Sequence, residues 1–387
     1  MIHPHRVWAD IRLDHLRDNV AFLRRRLPAS TRLMAVVKAD AYGHGAAEVA
    51  RELQAQRVSH FGVGDSGEAL ELRAAGIGAT ILILGAIIDG EQEKVVAHDL
   101  SVCIHSESRI DQLAREARRQ RHRCKVHLKI DTGMGRLGVL PSRALALARR
   151  IARSPWLELE GVATHFAGTS AAYDPANEAQ LAAFLEVRAA IEREGLGAPL
   201  WHAAASAALF SGLRAELDLV RPGGALFGIV PADAGPEARE LKPVLSLHTQ
   251  VIFLKDVAAG TPIGYQRTHR TAGKTRIATV PVGYNDGLPL RLGNRGAMLV
   301  RGTRAPIVGK VSMDYTMLDV GRIRGVKVGE PVTLIGRDGA QALPVEEVAA
   351  LADSIPSEVL CSLGRRVARV YHASRRTPPR EALTAHA

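Results

Sequence analysis

Lys38 closes the apolar run Leu33–Val37 and is followed at once by Tyr42, Gly43, His44 and Gly45 within the string AVVKADAYGHG. A long cation at the end of a strand buried on both faces snorkels to water, is paired, or has its charge consumed by bond formation. An amine held in such a place is a nucleophile toward carbonyl carbon. Two other stretches suit an anion. In HAAASAAL, Ser206 follows a short apolar run, where an N-cap hydroxyl and the amides beside it can receive negative charge. In VRPGGALFG, Gly223 and Gly224 let backbone N–H groups approach a ligand closely. Each signal alone is ordinary. Together they describe a phosphate cradle facing an amine, with His165, His202 and Arg221 at comparable strand ends.

Those residues need a scaffold that gathers strand ends. From Leu33 to about Gly224, eight short apolar runs alternate with amphipathic stretches such as 46–56, 67–75, 107–118, 142–153 and 178–194. Eight strand–helix units predict an α/β fold, a (β/α)8 barrel of the TIM type, with an open doubly wound sheet as the other solution; barrel chemistry sits at the C-terminal strand ends. After about Leu241, alternating runs between Gly and Pro turns predict a mostly antiparallel β domain. The chain therefore divides into an N-terminal strand over 1–12 that either domain could hold, a barrel over 13–240, a β domain over 241–372, and a tail over 373–387 too poor in core-forming residues to stay ordered.

The 387 residues are 47% hydrophobic, enough for two cores. The net charge of +11 invites a nucleic-acid partner, yet the arginines cluster in FLRRRL, REARRQRHR, ALARRIARS and SRRTPPR. These read as outer helix faces and a tail, without a Gly-aromatic RNA-binding signature or a Cys/His finger. No apolar run has the length of a signal peptide or a bilayer span, which predicts a cytoplasmic protein without a membrane partner. Cys103, Cys124 and Cys361 lie far apart without metal-ligand spacing, so no metal site is expected.

A lysine opposite a phosphate cradle on a barrel meets the requirements of pyridoxal 5'-phosphate. At this point a resemblance enters. AVVKADAYGHG, KIDTGMGRLG, HAAASAA, VRPGGALFG, PIGYQRTH, VPVGYNDGLP and PIVGKVSMDYTMLDV resemble, in this order, the signatures of the alanine racemase family, over about Trp8 to Tyr371. The resemblance implies a barrel followed by a β domain, a head-to-tail homodimer, pyridoxal phosphate as cofactor, and two-base interconversion of L- and D-alanine, which supplies D-alanine for peptidoglycan. It implies that Lys38 carries the cofactor and serves as one base, and that Tyr265, supplied by the partner chain, is the other. A free tyrosine, with a pKa of about 10, is a poor base at neutral pH, so this role needs positive charge or donors beside it. His165 and Arg221 match the residues that supply them, and Arg221 also matches the residue facing the cofactor's pyridine nitrogen. Tyr42, Ser206, Gly223, Gly224 and Tyr284 are expected on the phosphate side. Arg136 and Met313 match positions near the cofactor oxygen and the substrate carboxylate, and Lys129 matches a lysine often carbamylated in the family.

The sequence departs from the family pattern at Ala205, Ser170, Leu290, Lys310 and above all Ser357, which stands where a tyrosine beside substrate and phosphate is expected. These changes cluster on the entrance and side-chain pocket and spare the two bases. An amino-acid racemase of broader or serine-accepting range is therefore the alternative to an alanine enzyme. A barrel-type decarboxylase lacks its Cys/Asp motif here and leaves Tyr265 without a role. A pyridoxal-phosphate homeostasis protein would lack the β domain.

Overall fold

The computed structural model describes residues 4–231 and 233–372, so the tail expected over 373–387 lies outside the described residues. After β1 (Val7–Arg12) come eight parallel strands: β2 (Arg32–Val36), β3 (His60–Val63), β4 (Thr80–Ile83), β5 (Ser101–Ile104), β6 (Cys124–Lys129), β7 (Leu157–Ala163), β8 (Leu200–His202) and β9 (Leu219–Val220). Their order is β8-β7-β6-β5-β4-β3-β2-β9. The ring closes through an isolated parallel bridge between Ala205 and Arg221, where the Arg221 N–H donates to Ala204 O at 2.9 Å. The expected barrel has formed, and the open sheet is set aside. Its strands are mostly apolar because helices cover the outer face while side chains fill the inside, with His127, Glu160 and His202 among the polar exceptions. Met34, Leu82, Cys103 and Leu219 form one such inner cluster.

The outer helices start where short polar side chains satisfy their first N–H groups. Ser106 accepts from Arg109 N ahead of Glu107–Gln120, whose Ile110, Leu113 and Ala117 face inward. Asp65 accepts from Glu68 N ahead of Ser66–Ala74. The arginine-rich segments among the described residues lie on outer faces, with Arg119, Arg149 and Arg150 in exposed pairs with Glu116, Glu194 and Asp111, while SRRTPPR lies outside the described residues. Such pairs add little stability but account for much of the clustered charge.

Beyond the barrel, β10 (Leu245–Gln250) joins a seven-stranded sheet, and a three-stranded sheet combines Phe253–Val257, Thr275–Val280 and Thr316–Asp319. Pairing is mostly antiparallel, as expected. β1 sits inside the larger sheet, antiparallel to β10 and parallel to Ala368–His372. The sequence reading ends helical structure near Leu241, but two short helices, Val345–Leu351 and Pro356–Cys361, stand in this region. At 7 and 6 residues they are too short to show a helical period. The second carries Ser357 to the barrel mouth. Among the described residues, no helix is long and apolar enough to cross a membrane.

Candidate active site

Lys38 follows the point where β2 ends its ladder, with Val37 N–H donating to Gly62 O at 2.9 Å. The chain then enters a left-handed turn built without glycine: φ is +53° at Ala39, Asp40 and Ala41 and +54° at Tyr42. Left-handed backbone costs an L-residue roughly 1–2 kcal/mol, so the surroundings must impose it. Glu68 does so from the helix Ser66–Ala74 that follows β3, accepting Ala39 N–H at 2.6 Å and Gly64 N–H at 2.7 Å. The buried His44 ring stacks on Phe227 with centroids 4.3 Å apart, and its Nδ1–H donates to Ala41 O and Tyr42 O, each at 2.9 Å. Burial lowers the His44 pKa to about 4, which keeps it neutral. Lys38 thus leaves a backbone fixed from both sides.

It opens onto a cavity of about 600 Å³ that Tyr42, Lys129, Arg136, His165, Ser206, Arg221, Gly223, Gly224 and Ser357 also line. Ser206 was expected to cap the helix that follows it. Its hydroxyl makes no such cap on the short helix Ala207–Leu209 and instead accepts Gly223 N–H at 3.0 Å and Ala225 N–H at 3.1 Å. The reason is the barrel closure beside it, which sets the glycine turn across from Ser206, so both halves of the cradle converge on one point. A Cβ on Gly223 would lie 2.3 Å from the Tyr42 hydroxyl, so only glycine admits the phenol here. Burial pushes the Tyr42 pKa up to about 12, leaving a neutral hydroxyl that can donate. Hydroxyls and backbone N–H groups meeting at a barrel mouth suit a phosphate.

Arg221 forms the cavity floor and is 5% exposed. It donates from Nη2 to Thr164 O at 2.7 Å and Ala203 O at 2.9 Å, and from Nη1 to His202 Nδ1 at 2.8 Å. His165 Nδ1 lies 3.3 Å from Arg221 Nη2. Burial and the guanidinium charge lower the His165 pKa to about 3, so the ring is neutral, accepts at Nδ1 and keeps its proton on Nε2. Lys129 lies near Arg221 and Arg136; burial first, then Arg221, brings its pKa down to about 7. Asp131 shapes the loop toward Arg136 by accepting the N–H groups of Gly133, Met134 and Gly135 at 3.0, 2.9 and 3.0 Å. Among the described residues no group of His, Cys, Asp or Glu could hold a metal ion.

Two family models match nearly the whole chain: the alanine racemase N-terminal domain over residues 11–231 and the alanine racemase C-terminal domain over residues 244–371. The chain belongs to the alanine racemase family. The alanine racemase of Sorangium cellulosum is 42% identical over 373 residues, covering 94% of this chain and 98% of that protein. Among solved structures, the alanine racemase of a D-cycloserine-producing Streptomyces lavendulae superposes with a TM-score of 0.91 at 34% identity, covering 96% of this chain and 98% of that one. The alanine racemase of Bartonella henselae with covalently bound pyridoxal phosphate superposes at 0.86 with 31% identity, covering 95% of this chain and all of its own, 100%.

Three candidates drawn from the alanine racemase resemblance stand outside the cavity lining. Tyr265, Met313 and Tyr284 are exposed on the β domain, at 71%, 53% and 46%. Tyr284 was expected beside the phosphate cradle. Within its own chain it starts a short turn against the Met313 loop, with Tyr284 N–H donating to Ser312 O at 3.0 Å and Asn285 N–H to Met313 O at 3.2 Å. The cavity also depends on residues that the motif reading passed over. Glu68 is hidden within the helix-start pattern Asp65-x-x-Glu68, and His44 sits in AYGHG, where only Tyr42 was singled out.

Proposed function

We propose that the protein interconverts L- and D-alanine in the cytoplasm, supplying D-alanine for peptidoglycan, with pyridoxal 5'-phosphate held on Lys38 and with a second copy of the chain completing each site. One observation carries this reading. Lys38, Ser206, Gly223 and Arg221 share one cavity, whereas Tyr265 is exposed outside it. A single chain therefore presents one base to the cavity, and racemisation needs two on opposite faces of Cα. The exposed Tyr265 and Met313 are the groups a partner's β domain would bring to the mouth.

The residues fit the cofactor: the Lys38 amine on one side, and on the other the Ser206 hydroxyl, whose oxygen takes the Gly223 and Ala225 N–H groups and whose own proton is left to donate to a phosphate. Bound there, pyridoxal phosphate would withdraw electrons from Cα and make its proton removable. Lys38 takes or returns that proton on one face, and Tyr265 of the partner subunit serves the other. The His165 Nε2–H and the Arg221 charge favour the phenolate that a tyrosine base requires. Arg221 is a permanent donor, so facing the ring nitrogen of a bound cofactor it would keep that nitrogen unprotonated and moderate electron withdrawal, which suits a reaction that should end in proton return alone. Arg136 receives the substrate carboxylate. With a pKa of about 7, Lys129 has a substantial neutral fraction, the form that adds carbon dioxide to give a carbamate that would pair with Arg136.

The test uses purified protein with D-alanine in deuterated water. Exchange of the α-hydrogen together with inversion is expected, and borohydride should fix the cofactor on the peptide carrying Lys38. Carbon dioxide release would point to a decarboxylase, and label on another lysine would overturn the site. Ser357 supports the second reading, a serine-accepting racemase, because it lines the cavity where the family pattern places a tyrosine.

A further inference from the structure

Below Arg221, a line of hydrogen bonds runs down the barrel interior, away from the cavity. Arg221 Nη1 lies 2.8 Å from His202 Nδ1, His202 Nε2 lies 2.8 Å from His127 Nδ1, and His127 Nε2 lies 3.0 Å from Glu160 Oε2. The Ser101 hydroxyl donates to the same carboxylate oxygen. The two imidazoles are 1% and 0% exposed, so water does not supply alternative partners. Only one arrangement of protons satisfies every contact. Arginine can only donate, so His202 Nδ1 must accept and His202 carries its proton on Nε2. That proton goes to His127 Nδ1, which leaves His127 protonated on Nε2 and donating to Glu160. A carboxylate can only accept, so both ends of the line impose the same direction.

The backbone is arranged to deliver this carboxylate. Along β6 and β7, Val126 pairs with Leu159 but His127 pairs with Gly161, so Glu160 is one residue too many and has no partner in the ladder. An extra residue of this kind re-aims a side chain, and it is uncommon in parallel sheets. At the next position, a Cβ on Gly161 would lie 2.2 Å from His127 Nδ1, so glycine is what leaves room for the imidazole. Burial alone would raise the Glu160 pKa, yet the bonds from His127 and Ser101 and the charge of Lys125 hold it at about 2. Glu160 is thus a fixed negative charge balancing the buried guanidinium through two rings.

We propose that Glu160 is a positioning residue for Arg221, acting through His127 and His202 to set both imidazole tautomers and the orientation of the guanidinium at the cavity floor. The proposal rests on the reading of Arg221 as the group beneath the cofactor. If Glu160 did not anchor the line, His127 could carry its proton on Nδ1, His202 would be driven to the opposite tautomer, and an N–H would face the guanidinium.

The experiment uses the holoenzyme labelled with ¹⁵N-histidine, its resonances assigned through single histidine variants. Neutral, Nε2-protonated rings are expected for His127 and His202. In Glu160→Leu the His127 signal should move toward the other tautomer, and kcat for racemisation should fall about tenfold, the scale of lost orienting partners, with KM for alanine nearly unchanged. Because Glu160→Leu leaves a buried ring without an acceptor and can fail to fold, His127→Gln and His127→Leu provide a second comparison. Gln keeps one donor and one acceptor, so it should retain more activity than Leu, whereas a space-filling role for the ring would make the two fail alike. Nδ1-protonated His202 in the wild type overturns the proposal. So does a folded Glu160→Leu with wild-type kcat, or equal loss in the two His127 variants. Failure of the site reading looks different: cofactor on another lysine with the histidine tautomers still as described.

Discussion

Burial gives Lys129 a titration near neutrality, and this carries a stability consequence with a definite sign. In the folded chain its pKa is about 7, against an ordinary value of 10.5, so between those values the unfolded chain binds more protons. Stability contributed by this site must therefore rise with pH through that window. In buffers stripped of carbon dioxide, Lys129→Met should lose that rise relative to wild type in urea unfolding followed from pH 7 to 10; parallel slopes would show that the amine is not held neutral. With bicarbonate present, wild-type protein should gain the mass of one carbon dioxide at Lys129. Ser357 makes a prediction about range. Serine removes the volume of an aromatic ring from the cavity wall, and a missing contact of this size changes discrimination by about 1–3 kcal/mol. Ser357→Tyr should therefore lower kcat/KM for serine relative to alanine roughly tenfold or more, and a wild type that already rejects serine as strongly would show that neighbours have closed the gap.

At the scale of elements, the segment after Lys38 is the costly one. Ala39 is exposed and has φ +53°, where glycine pays no steric penalty. Ala39→Gly should stabilise the protein by up to about 1 kcal/mol in urea unfolding, contrary to the rule for glycine in ordinary helices. A loss of stability would mean that the turn relaxes when the Cβ is removed. This turn also shows where sequence reasoning stops. The eight barrel strands and the long outer helices repeat a hydrophobic period and were readable, as was the convergence of Lys38, Arg221 and Gly223 on one cavity, although each is ordinary at a strand end taken alone. Nothing in Ala39-Asp40-Ala41-Tyr42 signals positive φ, because Glu68 and His44 impose it from outside the segment. The slip that turns Glu160 inward is set by the neighbouring strand and leaves no local mark. That Tyr265, Met313 and Tyr284 stand outside the cavity of their own chain was not legible for a related reason: a motif gives a residue's neighbours in sequence, not the side of the domain it occupies.

For the whole molecule, the separation of Lys38 from Tyr265 becomes a complementation experiment. Lys38→Ala and Tyr265→Phe should each be nearly inactive as a racemase, yet mixing the two after subunit exchange should restore one intact site per mixed dimer, about a quarter of wild-type activity at equal mixing if all pairs form at random. Mixed dimers without activity would count against a shared site. The place of β1 has a different consequence, one that concerns synthesis. β1 is made before the barrel, but its neighbours are β10, reached through Ile11 opposite Leu245, and the strand Ala368–His372, reached through Trp8 opposite Ala368. On the ribosome, the barrel can close while Val7–Arg12 still hangs free with both edges unpaired. A short apolar edge waiting for a late partner is open to capture by another nascent chain. Translation that stalls before the last strand should therefore yield a closed barrel tethered to a sticky leader. A circular permutant that places β1 after Ala368–His372, through a linker long enough for a parallel crossover, would release β1 only once both of its neighbours have been made, and it should reach the soluble fraction with less help from chaperones.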